Sequence, residues 1–261
     1  GVRRVRPDAL SGDRGERGCV SWSATMNMTI GSLFSGIGGL ELGLERAGIG
    51  EVAWQVEINA HCRSVLAKHW PKAKQYDDVR TVGASTLSSV GVICGGFPCT
   101  DISQAGKRTG LGGDQSGLWV EFRRIISELR PAVVVAENSG NAWRDWVPSV
   151  RRDLFGLGYS SLPIRMRAHH LGANHGRDRA FVVAYSNESS KPTNASYAEM
   201  ARVCSDARRF TSVWGWCSVG DFSEDDGVSD GMDATRAYGN AVMPQMSEVI
   251  GDIIVSLGLA V

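Results

Sequence analysis

The stretch TIGSLFSGIGGLELGLERAGIGEVAWQVE, residues 29–57, restricts the fold more than any other part of the chain. An apolar run over 29–34 leads into the turn Ser35-Gly36-Ile37-Gly38-Gly39. Ile37, Leu40, Leu44 and Ala47 then keep a helical period up to Gly48. A second apolar run, 52–56, ends at Glu57, 23 positions after Phe34. The order is strand, glycine turn, helix, strand. Such a turn lets backbone N–H groups approach a ligand at a helix N-terminus, whose dipole favours a carboxylate or phosphate. Glu57 falls where a nucleotide-binding fold holds a ribose with an acid. An adenosine-containing cofactor is therefore expected.

The same alternation continues downstream. Residues 59–70 predict a helix stopped by Pro71. Residues 76–79 read as a short third strand or its exit and put Asp78 on the same sheet edge. There it could accept from an adenine amino group or stand as a solvated loop acid. The apolar run 90–94 reads as a buried parallel strand. It is followed by Gly95-Gly96-Phe97-Pro98-Cys99, which sets a cysteine on the loop leaving a strand's carboxyl end. That cysteine is a nucleophile if local dipoles or a cation lower its pKa, and a small packing residue otherwise. Residues 100–116 hold Gly, Ser and basic residues without an apolar period and predict a long functional loop. A helix over 118–129 ends at Pro131, and a buried strand over 132–136 delivers Glu137 and Asn138 to the edge that carries Cys99. Glu137 is a candidate acid if burial raises its pKa; Asn138-Ser139 also suits a helix cap. Residues 147–157 read as a helix, and 160–168 and 179–185 as strands. Between these strands lie His169, His170, His175, Arg177 and Arg179. The histidines lack acidic or sulfur partners at ligand spacing, so no metal is expected. Two arginines two apart at a strand start point the same way and suit a phosphate or a base carbonyl.

Composition narrows the class further. The chain has 261 residues with 28 basic and 28 acidic side chains, so any nucleic-acid contact must come from clustered charge rather than net charge. Six cysteines at irregular spacings form no disulfide framework. No apolar run approaches a membrane span and nothing resembles a secretory signal, so a soluble cytoplasmic protein is expected. Residues 1–27 hold five Arg and three Asp/Glu with no apolar period; they read as a disordered extension ahead of Met28, or as a basic arm. Residues 28–186 read as the catalytic domain. Residues 187–233, polar and acidic towards their end with Trp214-Gly215-Trp216, read as a small irregular insert. Residues 234–261 return to the domain through an amphipathic helix marked by Met246, Val249, Ile250, Ile253, Ile254 and Leu257. The fold class is α/β, doubly wound and Rossmann-like, with a small irregular insert.

Together these segments resemble the cytosine-5 DNA methyltransferase family of bacterial or phage type. LFSGIGGLELGLERAG is similar to its first motif, WQVEIN to its second and GGFPCTDIS to its catalytic loop. AENSGN resembles the Glu-Asn motif, HGRDRAFVVA the paired-arginine motif, and YGNAVMPQ the last motif, which folds back beside the first. The resemblance implies an S-adenosylmethionine-dependent methyltransferase sheet and a DNA (cytosine-5)-methyltransferase acting on a base flipped out of duplex DNA. It implies that the Cys99 thiolate adds to C6 while Glu137 bonds N3 and the exocyclic amine. Arg179 would hold O2 and Arg177 would steady the catalytic loop. For S-adenosylmethionine it implies contacts from Phe34, Gly36, Gly38, Gly39, Leu40, Glu57, Ile58, Asp78, Val79, Pro98, Leu118, Asn240 and Ala241. Residues 187–233 would be a shortened target-recognition region whose evident basic group is Arg202, Arg208 and Arg209. The chain departs from the family pattern at Thr100, Ser139 and His175-Gly176. A monomer is expected, with double-stranded DNA as partner and a cognate restriction endonuclease as a second partner the family allows. Other readings are a non-catalytic or weakly active DNA-binding relic of the same fold, the RNA-methylating branch of the family, and a nicotinamide-dependent oxidoreductase. The last gives no reason for Phe-Pro-Cys or Glu-Asn.

Overall fold

The computed structural model describes residues 28–98, 117–188 and 241–259, with a few single positions between 192 and 203. The expectations for residues 1–27, for the 100–116 loop and for most of the 187–233 insert lie outside the described residues. Seven strands are formed: β1 Met28–Leu33, β2 Gly50–Val56, β3 Lys74–Tyr76, β4 Val92–Gly96, β5 Val133–Ser139, β6 Tyr159–Arg167 and β7 Asp178–Ser186. Five helices accompany them: α1 Gly39–Arg46, α2 Ala60–His69, α3 Gly117–Leu129, α4 Trp143–Gly156 and α5 Pro244–Ser256.

The strands make one sheet in the order β3-β2-β1-β4-β5-β7-β6. β1 to β5 are parallel, and β7 runs antiparallel to both β5 and β6. Both faces are covered, which is why 132–136 is apolar without alternation. Val133 and Val135 pack with Leu44, Ile250 and Ile253 on one side; Val134 and Ala136 pack with Phe122 and Trp146 on the other. The doubly wound α/β class read from the sequence is the fold observed.

The helix closing the chain lies against α1 because three glycines let the backbones meet. A Cβ on Gly39 would collide with the Val242 carbonyl, one on Gly43 with Pro244 and Ser247, and one on Gly251 with Ala47. This contact brings 241–243 beside the glycine turn after β1.

Element boundaries differ from the sequence expectation where side chains intervene. β3 stops at Tyr76, because Asp78 accepts from the Arg80 amide (3.0 Å) and starts a 3-10 turn, Val79–Thr81. β5 runs through Glu137 and Asn138 to Ser139, since pairing with β7 continues to Ser139 opposite Arg179. α4 starts at Trp143, ahead of the expected 147, and carries Pro148 within it. α2 matches its expectation, with Asn59 as cap accepting from the Cys62 amide (3.0 Å).

Candidate active site

The carboxyl ends of the parallel strands surround a cavity of about 730 Å³, within the range that suits a cofactor-sized ligand. One wall is the turn after β1. Phe34, Gly36 and Gly38 all take positive φ, at 56°, 55° and 87°. For Phe34 that conformation is uncommon and turns the chain sharply off the strand. The turn is tied down by Glu57, whose Oε2 accepts from the Gly36 amide (2.8 Å) and whose Oε1 accepts from the Asn59 amide (2.8 Å). The acid at the end of β2 therefore already shapes the glycine turn through backbone donors.

Phe34, Gly36, Leu40, Glu57, Ile58, Asp78, Val79, Pro98, Leu118 and Ala241 all line this cavity. Ile58 does so while 68% exposed, an apolar side chain standing open at the rim. Asp78 is held by Arg80 through three contacts of 2.9, 3.1 and 2.6 Å, which lowers its pKa. Gly38 and Gly39 face a neighbouring depression, which they share with Arg177 and Ala241. Cys99 and Asn240 lie outside the described residues; their chain neighbours Pro98 and Ala241 both border the cavity.

On the opposite side stands Glu137, 5% exposed. Its Oε1 is 2.8 Å from Arg179 Nε, yet that N–H is not aligned with it, and the oxygen has no hydrogen-bond partner. Burial pushes the carboxyl up to about 7, outweighing the attraction of Arg179 and Arg177. Glycine is required at 96 for the same reason: a Cβ there would stand 2.6 Å from Glu137 Oε2. A Cβ on Gly95 would stand 2.6 Å from the Leu33 carbonyl. Asn138 donates to the Phe97 carbonyl (3.0 Å), and Phe97 is buried between Trp119 and Trp146. The Glu-Asn pair thus does two jobs: one residue faces the cavity and the other anchors the segment leading into Cys99.

Arg179 borders the cavity with Glu137, whereas Arg177 reaches the C-terminal segment and donates to the Ala241 carbonyl (2.6 Å). Burial and the nearby Arg179 pull Arg177 down to about 10, so it stays charged at neutral pH. Cys94 is separated from any nucleophilic role by position. It is fully buried in β4, and burial raises its thiol well above the ordinary value.

The sequence reading missed a buried polar group beneath the glycine turn. Ser35 Oγ donates to Ser32 Oγ (2.9 Å), and Gln55 Nε2 donates to Glu41 Oε1 (3.3 Å). Glu41 Oε2 and Gln55 Oε1 have no partner, and burial raises the Glu41 pKa. The available signal was position: Glu41 lies four after Ile37 and three before Leu44, inside the apolar stripe of α1. Among the described residues no group of three or more His, Cys, Asp or Glu could hold a metal ion, and no helix is long and apolar enough to cross a membrane.

Residues 28–209 match the model of the C-5 cytosine-specific DNA methylase family. The chain is similar to Type II methyltransferase M.Eco47II of Escherichia coli, 33% identical over 168 residues, covering 61% of this chain and 40% of that protein. It is also similar to Type II methyltransferase M.CviJI of Paramecium bursaria Chlorella virus IL3A, 34% identical over 154 residues, with coverage of 58% and 41%. The chain thus spans less than half the length of these curated relatives. Among solved structures, an E. coli prophage-encoded protein titled as a DNA modification methyltransferase matches with a TM-score of 0.52 at 30% identity, over 62% of this chain and 47% of that one. The Entamoeba histolytica methyltransferase EhMeth matches with a TM-score of 0.65 at 14% identity, over 88% and 99%, a likeness of fold.

Proposed function

Because the chain belongs to the C-5 cytosine-specific DNA methylase family, we propose that it methylates C5 of cytosine in duplex DNA with S-adenosylmethionine as donor. The observation that carries this reading is Glu137. It is a buried carboxyl with a pKa near 7 and an unpartnered oxygen, held beside Arg179 on the rim of the cavity. A cytosine is not electrophilic enough at C6 to take a nucleophile unless charge building on N3 is stabilised. A carboxyl that keeps its proton to about neutral pH can donate there, while its other oxygen accepts from the exocyclic amine.

In this reading the Cys99 sulfur forms a bond to C6 as Glu137 meets the developing negative charge on the ring. Arg179 holds the base carbonyl and balances Glu137 once its proton has moved. C5 is thereby made nucleophilic; after methylation the C5 proton leaves, the C5–C6 double bond re-forms and the sulfur is expelled. S-adenosylmethionine, when bound, supplies an electrophilic methyl group. Phe34, Leu40, Ile58, Val79, Pro98 and Leu118 provide its apolar walls, Asp78 the acceptor for the adenine amine, and Asn240 and Ala241 the side brought by the C-terminal segment. The Gly36 to Gly39 turn offers backbone donors to the carboxylate end, and Glu57 keeps acceptor capacity for the ribose beyond its two amide bonds. Cavity size, apolar lining and the placement of acids at strand ends all support the fit. Arg177, bonded to the Ala241 carbonyl, couples the arginine strand to that segment.

Transfer of labelled methyl from S-adenosylmethionine to mixed-sequence duplex, followed by bisulfite sequencing, tests the proposal. The expected product is 5-methylcytosine in a defined sequence context. A chain that binds the cofactor and duplex but leaves cytosine unmodified overturns it.

A further inference from the structure

With no net charge to attract a polyanion, this chain needs a local basic group, and the structure holds one outside the cavity. β6 runs parallel to β5 through β7, so its carboxyl end lies on the same sheet edge as Glu137 and Pro98. Arg165 and Arg167 stand there two residues apart, on one face of the strand. Both converge on Asp178. Arg165 grips it with Nε (3.0 Å to Oδ1) and an Nη (2.7 Å to Oδ2), and Arg167 adds Nε at 3.2 Å to Oδ2. The carboxylate is 8% exposed while the two guanidinium side chains are 40% and 50% exposed.

One arginine suffices to balance Asp178; the second leaves the trio with a positive charge facing solvent. The shared carboxylate fixes both forks, so less freedom is lost when they bind a tetrahedral oxyanion. Among the described residues, the two Nη groups of Arg167 have no partner. The trio is also wired to the active site. Asp178 lies between Arg177 and Arg179, its carbonyl accepts from the Gly140 amide (3.1 Å) and from Arg179 Nη1 (2.9 Å), and Gly140 follows the strand carrying Glu137. Glycine at 140 is what admits the Asp178 carboxylate, since a Cβ there would strike it.

We propose that Arg165 and Arg167, oriented by Asp178, form a phosphate clamp for the backbone of duplex DNA that registers the strand against Glu137 and Arg179. The proposal rests on the methyltransferase reading above. It supplies the clustered charge that a neutral chain requires.

The test measures binding of the full chain to a mixed-sequence 30-base-pair duplex by fluorescence anisotropy between about 25 and 200 mM salt, with DNA methylation kinetics alongside. Arg165→Gln/Arg167→Gln should flatten the slope of log affinity against log salt by about one to two units, roughly 0.9 per phosphate released. It should raise KM for DNA while kcat and cofactor affinity stay near wild type. Arg165→Lys/Arg167→Lys should keep the slope, and Arg46→Gln, at the far end of α1, should not change it. Where the double glutamine variant melts early because Asp178 is left unpaired, the triple variant with Asp178→Asn removes that buried charge and is read in its place. An unchanged slope in a folded variant overturns the clamp and leaves the functional reading standing. A wild-type chain that neither binds nor methylates duplex overturns the functional reading, and the clamp with it. Binding confined to RNA of equal length also overturns the clamp.

Discussion

At Glu137, burial and a neighbouring cation pull in opposite directions, and burial wins, leaving a pKa of about 7. The chemistry needs the protonated form, so turnover on DNA should fall as pH rises through about 7 and above. Glu137→Gln should lose about a hundredfold or more in rate, the range of a positioned acid. A pH–rate profile taken with both forms checks this; a wild-type rate still rising at pH 9 would remove Glu137 from the acid's role. Glu41 poses the same physics without a catalytic use. Below its unfolded pKa both states carry the proton and burial costs nothing extra. As pH rises past that value the unfolded chain ionises freely and the folded one does not, so stability falls. Glu41→Gln removes this loss and gives the orphan Gln55 Oε1 an amide donor to meet. Urea midpoints should therefore rise by about 1 kcal/mol at pH 8 and change little at pH 4. A lower midpoint at pH 8 would contradict this. Neither the raised pKa nor the orphan oxygens could be read from a Glu in a helical stripe, because both depend on what Ser32, Gln55 and Cys94 bring from other strands.

Among the elements, the pairing of α1 with α5 has the clearest consequence. Gly43 touches Pro244 and Ser247 across the helix crossing, so Gly43→Val should cost about 1–3 kcal/mol through overpacking and weaken cofactor binding by displacing Ala241. Equilibrium denaturation and cofactor titration measure the two effects; a variant as stable as wild type would mean that the helices have room to part. The amphipathic period of 246–257 announced the helix, but its packing on α1 was implied by family resemblance alone, because sequence separation hides the contact. Strands buried on both faces were legible as unbroken apolar runs. β3 was not placed well: Asp78 caps a 3-10 turn with its side chain, a local hydrogen bond that overrides the strand reading. The start of α4 was missed because Pro148 reads as a first-turn proline, whereas it sits inside the helix.

On the scale of the whole molecule, one topological fact organises the chemistry. The order β3-β2-β1-β4-β5-β7-β6 puts the ends of β1, β2, β4 and β5 on one edge, where open α/β sheets bind ligands. The turn after β1, Glu57 at the end of β2, Pro98 after β4 and Glu137 in β5 meet there from positions spread over about a hundred residues. The residue types and their places at strand ends were legible. The strand order, the antiparallel insertion of β7 and the Arg165–Asp178–Arg167 trio were not, since alternation along a strand does not say which strand lies beside it. The central claim is that Cys99 attacks cytosine within this frame. A cytosine carrying fluorine at C5 cannot lose a proton there, so the sulfur–C6 bond, once formed and followed by methylation, has no route to break. The direct measurement is denaturing electrophoresis and peptide mass spectrometry of the chain incubated with 5-fluorocytosine duplex pools and S-adenosylmethionine. The account predicts a cofactor-dependent protein–DNA adduct mapped to Cys99 and absent in Cys99→Ala. A chain that binds both ligands yet forms no adduct, or forms it at another residue, would contradict it.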